Sequence, residues 1–264
     1  MPEAPRLSYI VCATPRCGSS LLCCGLLATG LAGRPDEAFH QGVRDEARDR
    51  RRLDVRTEAE YIPQLLRHAT TGNGVFGTKL HGFQTPLVIE RVRLVADEPV
   101  SSLRQAIERF SPNPRYVWLT RDDKVKEAVS FYRALMSDTW FALRGTERNG
   151  EPKLATVEFD PVAIGKCHML IEAGDLYWQG YFATHGIEPL TLTYETLVRT
   201  YDDAMRRVFS FLDLPNDTPV PAPALEKLAN TQSNEWAERY HALAQQTSYL
   251  PHAPASQVRH WAPY

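Results

Sequence analysis

One short segment, Thr14 to Ser20, has residues that suit the binding of a phosphate or sulfate group. It reads Thr-Pro-Arg-Cys-Gly-Ser-Ser, so turn-forming and small residues surround a single arginine. The planar guanidinium of Arg16 can donate parallel hydrogen bonds to a pair of anionic oxygens. We therefore expect the whole segment to bind an anion, through Thr14, Pro15, Arg16, Cys17, Gly18, Ser19 and Ser20.

The flanking residues predict a strand before this segment and a helix after it. Residues 9–13 form a short apolar run rich in β-branched side chains, and residues 21–29 form an apolar run that follows two serines. The anion-binding segment should then lie at a helix N-terminus. Backbone N–H groups there have no partner within the helix, and the helix dipole adds partial positive charge.

The segment departs from the phosphate-binding pattern G-x-x-x-x-G-K-[ST] at two positions. Ala13 stands where the pattern has its first glycine, and Ser19 stands where it has lysine. The cation is instead Arg16, within the loop. This favours a site for one 5′-phosphate and a sulfate over a site for a metal-bound triphosphate. A nucleotide kinase remains an alternative, and it predicts dependence on ATP and Mg²⁺.

Cys17 could be the nucleophile of a phosphatase, but the spacing excludes this. Such enzymes need an arginine about six residues after the cysteine, and that position holds Cys23. We expect Cys17 to contribute its backbone N–H to the anion site and to have an exposed thiol there.

The motif Thr14-Pro-Arg-Cys-Gly-Ser-Ser resembles the 5′-phosphosulfate loop of sulfotransferases that use 3′-phosphoadenosine 5′-phosphosulfate (PAPS). Residues 33–39, Gly-Arg-Pro-Asp-Glu-Ala-Phe, resemble the Gly-x-Pro-x-Glu-x-Phe segment of the bacterial trehalose 2-sulfotransferase family. In that family the glutamate is the proposed catalytic base, and Glu37 occupies its position. The residues alone indicate only a solvated loop carboxylate.

A second group of motifs begins at a predicted strand that ends in Lys79. In a parallel sheet the carboxyl ends of strands face the ligand crevice, so Lys79 should lie near the anion-binding segment. Residues 77–87 resemble the family's Gly-Gly-Lys-Leu and Gln-Thr-Pro-Leu elements. The resemblance places Lys79 near the bridging oxygen or the sulfate and His81 close to the acceptor.

A third group follows the predicted strand 115–120 and helix 124–135. Arg121 at the strand end and Ser130 in the helix resemble the site for the 3′-phosphate of PAPS. The segment from Thr231, which contains Ser-Asn-Glu-Trp-Ala-Glu-Arg-Tyr, resembles the family's C-terminal helix. Thr231, Gln232 or Ser233 would lie near the 3′-phosphate.

The resemblance implies a fold and an activity. The fold is a P-loop-like three-layer α/β sandwich with a central, mainly parallel sheet, in a single domain over residues 1–264 with a helical tail at about 223–250. The activity is transfer of the sulfuryl group of PAPS to a hydroxyl of trehalose or a related glycan or glycolipid, without a metal. A non-catalytic protein that binds PAPS or its by-product, 3′-phosphoadenosine 5′-phosphate (PAP), remains an alternative.

The catalytic residues implied are Glu37, Arg16 and Lys79, with Glu37 and His81 contacting the acceptor. Because an ordinary glutamate is a weak base, we expect burial or the neighbouring Asp36 to raise the pKa of Glu37. If Glu37 is not the base, His81 is. Residues 40–60 and 140–160 match the family least well, so the sequence leaves the identity of the acceptor open.

Composition narrows the function classes further. The 264 residues carry a formal net charge of −2, which does not predict binding to nucleic acid. No stretch has the length of a membrane span, and the N-terminus lacks the pattern of a signal peptide, so we expect a cytoplasmic protein. The five cysteines do not have the spacing of a metal site. The family resemblance also implies a homodimer.

Overall fold

The computed structural model describes residues 4–40, 53, 55, 57–145, 156–226, 228 and 230–246. They fall into two compact units, one of Met1–Thr120 with Gly174–Pro223 and one of Arg121–Ala173 with Ala224–Tyr264. The prediction of a single domain stays a prediction.

The elements, in chain order, are β1 (Leu7–Ala13), α1 (Ser19–Ala28), α2 (Tyr61–Ala69), β2 (Val75–His81), α3 (Thr85–Arg93), α4 (Leu103–Phe110), β3 (Arg115–Thr120), α5 (Lys124–Ser137), β4 (Ala142–Leu143), α6 (Pro161–His185), β5 (Leu190–Thr193), α7 (Tyr194–Arg199), α8 (Tyr201–Phe211), β6 (Leu225–Glu226) and α9 (Thr231–Gln246). Short 3₁₀ turns span Glu58–Glu60 and Gly82–Gln84.

The first unit is built on a parallel sheet with the strand order β2-β1-β3-β5. Alternate residues of β1 enter different cores, as the period of a strand requires. Ile10 and Cys12 pack with α2, α3 and α4, whereas Tyr9 and Val11 pack with α1, α7 and α8. Helices therefore cover both faces of the sheet, and the predicted three-layer α/β sandwich is confirmed.

The second unit has its own apolar core, formed by α5, the first half of α6 and α9. Strands β4 and β6 form a two-residue antiparallel pair in this unit. Residues 140–159 are polar and contain glycine, so the sequence predicts an irregular segment there, whereas the structure places β4 within it. Residues 146–155 of this segment lie outside the described residues.

One predicted helix is interrupted. The apolar periodicity predicts a continuous helix from Tyr194 to Leu212, but α7 and α8 are separated at Thr200, where φ is −130° and ψ is 59°. The Thr200 hydroxyl donates to the carbonyl of Thr196 at 3.1 Å. Such local side-chain bonds compete with a continuing helix, and apolar periodicity does not reveal them.

Two findings concern what the described residues lack. None of their helices has both the length and the hydropathy needed to cross a membrane. Within the same residues, no group of three or more His, Cys, Asp or Glu side chains is arranged to hold a metal ion.

Candidate functional site

The segment Thr14 to Ser20 links the carboxyl end of β1 to the start of α1. Gly18 is the N-cap residue of α1, and it provides no side-chain bond to the first turn. The first turn also lacks acidic residues. Nothing within α1 therefore offsets the partial positive charge of its N-terminus, which suits an anionic ligand.

Two residues of the anion-binding segment have a positive φ. Gly18 has a φ of 90°, and a Cβ atom there would lie 2.7 Å from the ring of Tyr194. Only glycine satisfies both the conformation and this close approach. Arg16 has a φ of 72°, which is unfavourable for a residue with a side chain. The segment thus keeps a strained arginine at its centre.

The expectation of an exposed Cys17 thiol is wrong. The side chain is fully buried in the core between the sheet and α1. The Cys17 N–H donates a long hydrogen bond, 3.5 Å, to the carbonyl of Thr14. Small size and low polarity let this side chain pack inward, so its position in the motif did not predict exposure.

The segment that carries Glu37 lies along β2. The N–H of Lys79 donates to the carbonyl of Asp36 at 3.0 Å, and the Thr78 hydroxyl donates to the same oxygen at 3.2 Å. Before it, Gly33 has a φ of 68°, and a Cβ there would lie 2.6 Å from the backbone nitrogen of Gly77. Close approach of the backbone to β2 therefore fixes where Glu37 can lie.

Glu37 lies in a cluster of side chains at the carboxyl end of β2. Its Oε1 atom is 2.6 Å from the Lys79 Nζ and 3.4 Å from the His81 Nε2. Its Oε2 atom accepts a hydrogen bond from the Gln84 amide at 3.2 Å. The Lys79 Nζ also donates to the Ser20 hydroxyl at 3.4 Å. The structure thus brings four residues implied by the family motifs and the anion-binding segment into one cluster with Gln84: Ser20, Glu37, Lys79 and His81.

The electrostatics of Glu37 differ from the expectation. Burial by itself raises the pKa of the Glu37 carboxyl, but the charge of Lys79 and the contacts with His81 outweigh burial and hold this pKa well below its ordinary value. The Asp36 carboxylate accepts a hydrogen bond from the backbone N–H of Glu37 at 2.7 Å. The expected increase is wrong because the ammonium group lies so close.

The pKa of Lys79 is shifted in the direction that also favours the charged form. Burial lowers the pKa of its ammonium group, but the Glu37 carboxylate outweighs burial and the net pKa is raised. Both directions describe an ionised pair. The Lys79 side chain is 5% exposed and that of Glu37 is 22% exposed, so the lysine is enclosed while the glutamate side chain is partly accessible.

The imidazole of His81 is oriented by the end of β1. Its Nδ1 atom lies 3.0 Å from the carbonyl oxygen of Ala13, which also accepts a hydrogen bond from the Trp178 indole at 3.3 Å. A carbonyl can only accept, so Nδ1 carries the hydrogen and Nε2 faces Glu37. This contact leaves Nε2 facing the Oε1 atom of Glu37 at 3.4 Å.

Arg121 and Ser130 belong to the second unit, where Arg121 is buried and Ser130 lies on α5. Their assignment to the 3′-phosphate stays a prediction. In the same unit, the buried Arg133 donates to Asn230 and Gln232 at the start of α9, each at 3.0 Å. Residues 41–52, which make up most of the region 40–60 that matches the family poorly, lie outside the described residues.

The sequence did not identify Gln84 as a site residue; it lies in the Gln-Thr-Pro-Leu element without an assigned role. Gln84 ends the 3₁₀ turn that follows β2, and its side chain is buried. The one signal was its spacing, three residues after His81, which allows a side chain to bond back to the start of a turn. That spacing does not predict the contact with Glu37.

Comparison with known proteins identifies the family. The sequence model of the Stf0 sulphotransferase family matches residues 8–243. This chain belongs to the Stf0 sulfotransferase family. Two curated relatives are named trehalose 2-sulfotransferase. The one from Mycobacterium tuberculosis is 32% identical over 261 residues, which are 89% of this chain and 95% of the relative. The one from Mycolicibacterium smegmatis is 31% identical over 264 residues, which are 90% of this chain and 96% of the relative.

Solved structures support the fold of this Stf0 sulfotransferase. A sulfotransferase from Alicyclobacillus acidocaldarius aligns with a TM-score of 0.50 at 17% identity, over 90% of this chain and 92% of that one. The sulfotransferase domain from the curacin biosynthetic pathway aligns with a TM-score of 0.52 at 14% identity, over 98% of this chain and 96% of that one. At these identities the likeness concerns the P-loop-like fold alone. Family membership argues against the nucleotide kinase alternative.

Proposed function

We propose that this sulfotransferase moves the sulfuryl group of PAPS to a hydroxyl of a carbohydrate, with trehalose or a related glycan or glycolipid as the acceptor. One observation carries the proposal. The Glu37 carboxylate is held 2.6 Å from the Lys79 ammonium, which is 3.4 Å from Ser20 in the anion-binding segment. A base and a cation thus lie beside a loop suited to a sulfated phosphate. The names of the mycobacterial relatives support trehalose.

The anion-binding segment fits the 5′ end of the donor. It combines an α1 N-terminus without acidic residues, a glycine N-cap and the guanidinium of Arg16. Its single arginine suits one phosphate and a sulfate without a metal ion. Arg121 and Ser130 are proposed to hold the 3′-phosphate. PAPS supplies the activated sulfuryl group when it is bound.

Sulfuryl transfer asks the protein mainly for positioning and for stabilisation of charge, by analogy with phosphoryl transfer. Glu37 accepts the proton of the attacking hydroxyl. Arg16, Lys79 and the N–H groups of the loop stabilise the negative charge that develops on the donor oxygens. No metal is needed in this scheme.

Lys79 lies between the base, Glu37, and the segment proposed to bind the donor. While it is paired with Glu37, the carboxylate has a lowered pKa and is a weak base. Its position between Glu37 and Ser20 lets it exchange the carboxylate for a donor oxygen. Weaker pairing with Lys79 raises the pKa of Glu37 toward its ordinary value. Binding of the donor therefore prepares the base.

Sulfur-labelled PAPS tests the proposal when it is incubated with trehalose, glucose and glycolipid acceptors without added metal. We expect label in at least one carbohydrate. The Glu37→Gln variant should lose about 10²- to 10⁴-fold in turnover, the usual contribution of a general base. It should still bind PAP. Unchanged turnover would remove Glu37 from the role of base and favour His81.

The same assay separates the alternative of a non-catalytic binder, which predicts tight binding of PAP and no labelled product with any acceptor. A homodimer is also proposed, from the family resemblance, and so is a cytoplasmic location. Size-exclusion chromatography with light scattering tests the homodimer.

A further inference from the structure

Gln84 makes two hydrogen bonds that link the end of β2 to Glu37. Its Oε1 atom accepts from the backbone N–H of His81 at 2.9 Å. Its Nε2 atom donates to the Oε2 atom of Glu37 at 3.2 Å. The residue is only 3% exposed, so water does not readily replace either contact.

The chemistry of its partners fixes the orientation of the Gln84 amide. A backbone N–H can only donate and an ionised carboxylate can only accept. The opposite orientation would set donor against donor at His81 and acceptor against acceptor at Glu37. Gln84 therefore presents its NH₂ group to Glu37 in a single orientation.

The two oxygens of Glu37 are occupied differently. Oε1 contacts both Lys79 and His81. Within the described part of the chain, Oε2 is hydrogen-bonded by Gln84 alone. A carboxylate has about four lone-pair sites, two on each oxygen, so Oε2 keeps one for another donor. The Glu37 side chain as a whole is 22% exposed, so it is not closed off from a ligand.

We infer that Gln84 is a positioning residue that holds Glu37 so that Oε2, and not Oε1, takes the proton of the acceptor hydroxyl. This inference rests on the proposed function. The O–H bond of the acceptor breaks, the proton moves to Oε2, and the oxygen electron pair forms a bond to sulfur. The bond between sulfur and the bridging oxygen breaks, and PAP leaves with that electron pair.

Other titratable groups surround Glu37 and must stay unchanged in the test. Lys79 and His81 face it from β2, Cys23 faces this pair from α1, and Asp36 and His40 lie on its own segment. Variants of Gln84 leave all of them in place. A change in the titration of Glu37 can then be assigned to Gln84.

Two variants separate positioning from folding. Gln84→Glu has the same shape and keeps an oxygen for the His81 N–H, but it sets a second carboxylate against Glu37, and two such groups share a proton. Gln84→Met keeps the length and removes both hydrogen bonds. Gln105→Glu is the matched control, because the exposed Gln105 also accepts a backbone N–H, that of Ser101 at 2.9 Å.

In the labelled-PAPS assay we expect Gln84→Glu to lower kcat at least tenfold at pH 7 and to move the acid limb of the kcat profile up by about one pH unit or more. Gln84→Met should lower kcat about tenfold with a smaller shift. The KM for PAPS should change less than twofold in both variants. Gln105→Glu should match the wild type.

A ¹³C NMR titration of labelled glutamate gives a readout that does not need turnover. We expect Glu37 to titrate at higher pH in Gln84→Glu than in the wild type. An unmoved titration, or a loss of kcat with an unmoved acid limb, would overturn the inference and leave Gln84 with a structural role. If the wild type transfers no label, the proposed function fails, and the titration still shows whether Gln84 acts on Glu37.

Discussion

Arg16 provides a positive charge for binding the sulfate donor, and its backbone conformation is unfavourable for any residue with a Cβ atom. Substitutions can separate these two properties. Its φ is 72°, in the left-handed region that favours glycine. Arg16→Gly and Arg16→Ala both remove the guanidinium, whereas only the glycine variant relieves the conformation. The pair should therefore lose donor binding equally and differ in stability.

The magnitude follows from two opposing contributions. A left-handed conformation costs a residue with a Cβ about 1–2 kcal/mol. Glycine also lowers the free energy of unfolding by about 0.4–1 kcal/mol relative to alanine, because the unfolded chain has more conformational freedom to lose. Arg16→Gly should then be about 0.8 kcal/mol more stable than Arg16→Ala. Loss of charge-assisted hydrogen bonds, worth about 1.5–3 kcal/mol, should weaken PAP binding roughly 10- to 100-fold in both.

Urea unfolding and calorimetric titration with PAP measure the two effects. Asn113 provides the matched control, because it is exposed and has a φ of 48°. Asn113→Gly should also be more stable than Asn113→Ala, because the left-handed conformation is unfavourable for alanine there as well. Neither variant should change PAP affinity. Equal stability of the two Arg16 variants, together with a difference at Asn113, would refute the strain at Arg16. Wild-type affinity in both Arg16 variants would refute its role in donor binding.

Two further predictions concern the first unit. Gly174→Ala places a Cβ about 2.8 Å from the Thr14 methyl group, so it should displace the anion-binding segment and weaken PAP binding about tenfold; calorimetry measures this, and unchanged PAP affinity would contradict it. The Cβ of Gly180→Ala meets nothing within 4 Å, so this variant should increase the free energy of unfolding by about 0.5–1 kcal/mol, as measured by urea unfolding. Because the folded-state pKa of Glu37 is lowered, its stabilising effect is complete above the unfolded value of about 4.3 and is lost as pH falls through the folded value. The stability difference between wild type and Glu37→Gln should thus be constant from pH 7 to about pH 5 and shrink at lower pH, and a difference that grows on acidification in urea unfolding would show that the sign is wrong.

Local patterns were sufficient for several elements. The strand at 115–120 has the predicted bounds, and the strand, loop and helix around Arg16 lie where composition and turn residues placed them. α3 and α4 were not identified, although Leu103, Ala106, Ile107 and Phe110 of α4 recur at helical spacing and Ser102 caps its N-terminus. The break at Thr200 coincides with a local side-chain hydrogen bond, which apolar periodicity cannot report.

By itself, the sequence determined the position of the segment Thr14 to Ser20 between a strand and a helix, the order of the motifs and the family, because these depend on residues that are neighbours along the chain. The contacts of Glu37 were decided by the tertiary structure. Parallel pairing sets Ala13 beside His81 and Val11 beside Lys79, and the approach of Gly33 to β2 brings Glu37 to the same edge. The low pKa of Glu37 follows from that pairing, since electrostatic energy depends on distances in space between residues that are far apart in sequence.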